Sequence, residues 1–134
     1  MQKGLITLLL LITIQVCHAQ FKLQSGQPIT IAVDQAEKSV VNTALQLFSR
    51  DYQVVFSAAA NKNSKQGNII IGTIGQSTLP ELTYVDTSFL KGKKQAFILT
   101  VLPNHKLLII GSDSHGTAYG IMELSRLIGV SPWE

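Results

Sequence analysis

A chain of 134 residues, 46% of them hydrophobic, is long enough for one domain with an apolar core and too short for two. Its 11 basic and 8 acidic residues leave a net charge of +3. No Lys/Arg cluster forms a basic stripe, which excludes a nucleic-acid-binding surface; "KGKK" (91–94) is typical of a solvated turn. The single cysteine, Cys17, lies near the start, so the rest of the chain can form no disulfide.

The first 19 residues have the pattern of a secretory signal peptide. Lys3 precedes an apolar run, "GLITLLLLITIQV", and "CHA" precedes Gln20. This pattern predicts cleavage after Ala19 and a secreted or periplasmic protein with no membrane association after cleavage. A lipoprotein anchored through Cys17 remains the alternative, and the bulky Val16 disfavours it. The predicted organisation is therefore a signal peptide (1–19) and one α/β domain (20–134).

Hydrophobic periodicity and turn residues divide the domain into seven elements. Asp34 and Glu37 predict a capping box at the start of the first helix. A polar loop separates the second and third strands, and 76–93 is predicted to be irregular. The predicted elements, in chain order, are strand 28–34, helix 35–51, strands 52–57, 68–75, 94–102 and 106–113, and helix 114–128.

This order predicts an α/β (α+β) sandwich, in which a mixed, largely antiparallel sheet carries two helices on one face. Three strands, "NIIIG", "FILTVL" and "LLIIG", are apolar without alternation. Continuous apolar runs are typical of strands covered on both faces. Two helices cover only one face, so the sequence predicts that a further partner covers the other.

The stretch "GSDSHG" (111–116) is rich in catalytic residue types. A Ser-His-Asp triad needs side chains that converge from distant parts of the chain, whereas adjacent residues in a turn diverge. We therefore expect a structural corner: Gly111 ends a strand, Ser112 or Asp113 caps a helix, and Gly116 and Gly120 share one helix face.

Other catalytic and ligand-binding patterns are missing from the sequence. It contains no phosphate-binding loop and no visible pair of strand-end carboxylates. His105 and His115 have no neighbouring acidic or cysteine spacing that suits a metal. The sequence therefore predicts no catalytic residue, no metal site and no cofactor in this segment.

"GSDSHGTAYGIMELSRLIGVSPW" resembles the end of the N-terminal domain in β-hexosaminidases, O-GlcNAcase-like enzymes and two α-glucuronidase families. The phrase "GVSPW", with Trp133, is most similar to glycoside hydrolase family 115 (GH115), the xylan α-1,2-glucuronidases. Ser114 and His115 depart from a pair that is usually basic in that family. The positions that carry the wider resemblance are Gly111, Asp113, Gly116, Tyr119, Gly120 and Leu124.

This resemblance implies a β-hexosaminidase-like N-terminal domain that packs against a TIM barrel farther along the same polypeptide. Family members remove glucuronic acid or its 4-O-methyl ether from glucuronoxylan, with the catalytic acids in the barrel. None of those acids falls in this sequence, and substrate-binding residues stay undefined. Two hypotheses follow: the structural N-terminal part of such an enzyme, or a stand-alone exported, non-catalytic module that binds glycan or protein.

Overall fold

The computed structural model describes residues 18–63 and 65–131. Within them, one five-stranded sheet carries two α-helices, and its strand order is β2-β1-β3-β5-β4. None of the helices in these two ranges has the length and apolar character that a membrane span requires. The elements are β1 Ile29–Val33, α1 Ser39–Phe56, β2 Ala60–Asn63, β3 Ile69–Thr73, β4 Phe97–Val101, β5 Leu107–Gly111 and α2 Ser114–Leu127.

The sheet is mixed and mostly parallel. β1 pairs in parallel with β2 and β3, β3 pairs in parallel with β5, and only β4 and β5 are antiparallel. The predicted α/β class with a mixed sheet and two helices is confirmed, but the largely antiparallel pairing is wrong. The main reason is β2, which the sequence pattern does not predict, because "ANKN" is polar and forms an exposed edge. This strand nevertheless completes a β-α-β unit with β1 and α1, and the strands of such a unit are parallel.

Helix α1 runs through the segment that the sequence predicts as a second strand, 52–57. Val54 and Val55 favour a strand, but both are exposed on the helix surface. The helix continues because Phe48, Tyr52 and Phe56 recur every four residues on its inner face, with ring centroids 6.0 and 4.6 Å apart. Tyr52 is fully buried, and its hydroxyl donates to the Gln27 carbonyl at 2.7 Å.

Both helices pack on one face of the sheet. Their inner residues join the side chains of alternate strand positions in the main hydrophobic core. At about 1.5–3 kcal/mol for each fully buried large aliphatic or aromatic side chain, this face supplies most of the stabilisation. The fully buried members are Ile31, Val41, Phe48, Tyr52, Ile69, Ile71, Ile109 and Ile121.

The other face is covered by the chain itself. Ala32, Ile70 and Leu108 project to this side and are completely buried. Leu79 and Leu102 pack on them, with the partly buried Leu82 and Val85 alongside. The irregular segment provides most of this cover through the 3₁₀ turn Pro80–Tyr84 and the residues that flank it, and a second 3₁₀ turn, Ser88–Leu90, follows. The prediction that an external partner must cover this face is therefore wrong for the central strands, because a segment without periodicity still carries well-spaced leucines.

Candidate functional site

The carboxyl edge of the sheet, where β1, β3 and β5 end at Val33, Thr73 and Gly111, is the first place to look for a site. In open parallel sheets, ligands bind in the crevice beyond these strand ends. β3 and β5 are paired up to Thr73 and Gly111, so their following loops leave from the same level. The polar side chains at this edge come from those loops and from the starts of the two helices.

Glu37 is the buried acid of the carboxyl edge, with only 5% of its surface exposed. Its Oε1 accepts from the Thr73 main-chain N–H at 2.9 Å, and its Oε2 lies 2.8 Å from the Thr73 hydroxyl. Burial raises the pKa of Glu37 above its usual 4.5; the bonds from Thr73 oppose the rise, and the negative charge of Asp34 adds to it. Desolvation is the dominant cause.

The Thr73 hydroxyl continues into a chain of hydrogen bonds. It lies 2.6 Å from the Thr117 hydroxyl, which reaches the carbonyls of Gly72 at 3.1 Å and Asp113 at 3.2 Å. The Thr73 hydroxyl donates to Glu37 Oε2, and either threonine hydroxyl can be the donor in the bond between them. The chain of bonds therefore links Glu37, the end of β3 and the start of α2.

Asp34 and Asp113 fix the loops on either side of this chain. Asp34 accepts from the Ala36 N–H and from the N–H and hydroxyl of Thr78. These bonds, that from Ala36 first, lower its pKa. The predicted capping box is wrong: α1 begins at Ser39, and its N-cap, Lys38, makes no side-chain cap bond. Glu37 instead ties the segment before the helix to β3, and Asp34 ties it to the loop that follows β3.

The sequence "GSDSHG" forms the corner between β5 and α2. Asp113 is the N-cap: its Oδ1 accepts from the Gly116 N–H at 2.8 Å, and its Oδ2 accepts from the Gln95 N–H at 2.9 Å. The bond from Gln95, and then that from Gly116, lower the Asp113 pKa. Ser112 accepts from the Ala96 N–H. The serine and aspartate side chains are therefore engaged with the main chain, and His115 is exposed.

The glycines of this corner allow close packing. A Cβ on Gly111 would overlap Thr117, and one on Gly116 would overlap the Ala96 carbonyl oxygen. A Cβ on Gly120 would lie 2.5 Å from the Ile109 side chain. Tyr119 lies on the outer surface of α2, 47% exposed. Trp133, which carries part of the resemblance, lies outside the described residues.

Thr73, Thr117 and Gln95 also belong to this arrangement, although no sequence motif indicates them. One signal was available for Thr73, a hydroxyl at the end of the apolar run "IIIGT". A buried polar side chain needs a hydrogen-bond partner. Its partners, however, lie 36 and 44 residues away in the chain. Within 18–63 and 65–131, no cluster of three His, Cys, Asp or Glu side chains could hold a metal ion.

Replacing Asp113 by alanine should lower the free energy of unfolding by about 1–2 kcal/mol, the usual value of an N-cap. Because the Asp113 pKa is lowered, its contribution is complete above its ordinary pKa of 3.8 and is lost as the pH falls through the lower folded value. Urea unfolding at neutral pH measures the loss. Asp86→Ala is the control, since Asp86 accepts from Ser88 within an exposed turn and should change stability less; an equal loss would contradict the assignment.

Comparison with known proteins gives one informative relative. No protein-family model matches the chain, and no curated protein is similar to it. A solved structure does match: BtGH115A, a GH115 4-O-methyl-α-glucuronidase with specificity for decorated arabinogalactans. The two share 60% sequence identity with a TM-score of 0.82. The chain is related to this GH115 enzyme.

The match covers 86% of this chain and 15% of the GH115 structure. The chain thus spans about one seventh of the length of its relative. The relationship to GH115, inferred from "GVSPW" and the corner before it, is confirmed. The β-hexosaminidase-like type of the domain stays a prediction.

Proposed function

We propose that the chain is the N-terminal part of an exported GH115 glycoside hydrolase that removes (4-O-methyl-)glucuronic acid from plant polysaccharides. In this proposal the segment is structural and supports a catalytic TIM barrel farther along the polypeptide. The observation that carries the proposal is the match itself, at 60% identity over 86% of this chain but 15% of the enzyme.

The hydrogen bonding at the carboxyl edge supports a non-catalytic role. Glu37, the buried acid, is held by Thr73, and the carboxylates of Asp34 and Asp113 accept from neighbouring main-chain N–H groups. A general acid or nucleophile needs a carboxyl group that can face a substrate. These three carboxyl groups instead join strands, loops and helices of the same domain.

Two polysaccharides are candidates for the substrate of the whole enzyme. The sequence resemblance points to glucuronoxylan, whereas the relative has specificity for decorated arabinogalactans. The (4-O-methyl-)glucuronic acid side group is common to both proposals. The identity of 60% supports arabinogalactan as a candidate alongside xylan. Release of the uronic acid from each polymer by the whole enzyme would distinguish the two.

The structure near the predicted cleavage site supports export with removal of residues 1–19. Phe21 and Leu23 pack partly buried against the main core. Cleavage after Ala19 would therefore retain these core contacts. The proposed location is the periplasm or the exterior of the cell.

One observation favours the second hypothesis, a stand-alone exported module that binds glycan or protein. The irregular segment covers the second sheet face with Leu79, Leu82 and Val85, so the domain buries its core without a partner. We therefore expect the isolated chain to be monodisperse and to bind little hydrophobic dye. Light scattering and dye fluorescence test this, and strong dye binding would contradict the covered face.

The reading frame beyond Glu134 tests the proposed function. A frame that continues into repeated strand–helix units, and a whole product that releases uronic acid, support the GH115 enzyme. A stop codon and a stable secreted product support the stand-alone module. In either case, the isolated chain should release no uronic acid from glucuronoxylan or arabinogalactan, and turnover would contradict the non-catalytic role.

A further inference from the structure

The residue that follows the predicted cleavage site contacts a histidine in the β4–β5 turn. The main-chain nitrogen of Gln20 lies 3.2 Å from Nδ1 of His105, and the Gln20 carbonyl oxygen lies 3.1 Å from the same atom. The two residues are 85 positions apart in sequence. The next side chain, Phe21, packs against the core, so Gln20 is anchored on its C-terminal side.

The turn fixes the backbone of His105. This residue has a left-handed conformation, with φ of 63°, and its main-chain N–H donates to the Leu102 carbonyl at 2.9 Å. Asn104 accepts from the Lys106 N–H in the same turn. The fold therefore brings the backbones of Gln20 and His105 together, and the contact itself orients the exposed imidazole.

We propose that the N-terminus released by cleavage after Ala19 is a modification site, at which Gln20 cyclises to pyroglutamate with His105 as the catalytic base. This inference rests on the export proposed above. Cleavage converts the nitrogen beside His105 from a peptide N–H into a free amine. An N-terminal glutamine carries its own electrophile, the side-chain amide, within reach of a five-membered ring.

The step needs no further reactant. The Gln20 amine nitrogen attacks its own side-chain amide carbon, and a new N–C bond forms. The bond from that carbon to the side-chain nitrogen breaks, and ammonia leaves. His105 takes a proton from the attacking amine and returns one to the leaving nitrogen, which is general acid–base catalysis of the kind that imidazole supplies. No atom changes its oxidation state.

The product fits the observed contact. A pyroglutamate nitrogen is again an amide N–H, so it can donate to His105 Nδ1 as the Gln20 nitrogen does in the structure. A cavity of about 500 Å³ borders Gln20, Phe21 and His105 and has room for the ring. Cyclisation also removes the positive charge of a free amine beside the imidazole.

The test expresses the complete gene, with its own N-terminal segment, in a bacterial host without a glutaminyl cyclase. Exported protein is collected at successive times, and its N-terminal peptide is measured by mass spectrometry. We expect a peptide that begins at residue 20 and is lighter by one ammonia. His105→Asn should slow the formation of this peptide by about 10-fold or more, because the variant lacks the proposed general base.

The control variants separate chemistry from folding. Asparagine tolerates a positive φ, so His105→Asn keeps the turn, and its thermal midpoint should match the parent. Asn104→Ser alters the same turn without removing the base and should cyclise at the parental rate. A start other than Gln20, a lasting free amine, or equal rates in the parent and His105→Asn would each overturn the proposal. The reading frame beyond Glu134 tests the GH115 assignment independently of these outcomes.

Discussion

Replacing Gly116 by alanine is expected to destabilise the domain by on the order of 4 kcal/mol or more, which is exceptional for one methyl group. The added Cβ would overlap the main-chain oxygen of Ala96 and approach its nitrogen. Backbone atoms cannot rotate away as a side chain can, so α2 would have to leave the sheet. That shift would break the Ser112 N–H bond to Ala96 and the Gln95 N–H bond to Asp113.

Helix propensity alone predicts the opposite effect, a stabilisation, so the sign of the change in unfolding free energy distinguishes the two explanations. Alanine is favoured over glycine by about 1 kcal/mol inside a helix, so a purely local effect would stabilise α2. Gly120→Ala meets the Ile109 side chain and the Phe97 ring, which can adjust, and should cost about 1–3 kcal/mol. His115→Ala, at an exposed position of the same helix, should change stability by about 0.5 kcal/mol or less.

Urea unfolding of the three variants, or their soluble yield where unfolding cannot be measured, should give the order Gly116→Ala, Gly120→Ala, His115→Ala from most to least destabilised. A Gly116→Ala protein within about 1 kcal/mol of the parent would show that the helix does not need this close approach. The same result would remove the structural reason for a glycine at position 116, the sixth residue of the "GSDSHGTAYG" stretch.

Replacing Glu37 by alanine is expected to lower the free energy of unfolding by about 2–4 kcal/mol. The substitution leaves the Thr73 N–H without its acceptor and the Thr73 hydroxyl without one of its two partners, and each unpaired buried group costs about 1–3 kcal/mol. Glu37→Gln should cost much less. Its amide oxygen can accept from the Thr73 N–H, and its NH₂ can donate to the Thr73 hydroxyl, so both Thr73 groups keep a partner.

The parent and Glu37→Gln should also differ in how their free energy of unfolding depends on pH. Since the folded-state pKa of Glu37 is raised above 4.5, its contribution to stability is complete below pH 4.5 and is lost as the pH rises through the folded-state value. The parent should therefore lose stability from pH 4.5 toward neutral relative to Glu37→Gln. Asp34 and Asp113, whose pKa values are lowered, act at lower pH and in both proteins alike.

Urea unfolding of the parent and of Glu37→Gln between pH 4.5 and neutral pH measures the difference between their free energies of unfolding. A constant difference between the two curves would contradict the buried, protonation-sensitive Glu37. Glu123→Gln provides the control, since Glu123 pairs with Arg126 on the surface, and its pKa is lowered. Relative to that variant, the parent should lose no stability as the pH rises from 4.5 toward neutral.

The elements that the sequence predicted correctly are those whose local pattern and tertiary role agree. β1, β3 and β5 are apolar runs flanked by polar or glycine residues, and α2 has a helical period and a capping aspartate. The errors arise where the two conflict. Val54 and Val55 favour strand but lie on an exposed helix face, and β2 is polar because it is an edge.

Of the candidate site, the sequence predicted only the corner between β5 and α2. Asp113, Gly116 and Gly120 are close in sequence, so their spacing indicates a cap and a packing face. Glu37 and Thr73 meet only after β1 and β3 pair across the sheet, and no local pattern encodes that contact. For "GSDSHG", the absence of a catalytic triad stays a prediction from spacing, which rests on the divergent directions of adjacent side chains in a turn.

The leucines that cover the second sheet face, two of them in the irregular segment, have a consequence for folding during export. Under the proposed export, this domain would emerge from the translocation channel before any catalytic barrel. Leu79, Leu82 and Leu102 already cover the second sheet face, so the emerging domain could fold while the rest of the polypeptide is still threading. Hydrophobic surface exposed during that interval is what drives aggregation of multidomain chains. A self-covered first domain would shorten the interval and reduce the need for periplasmic chaperones.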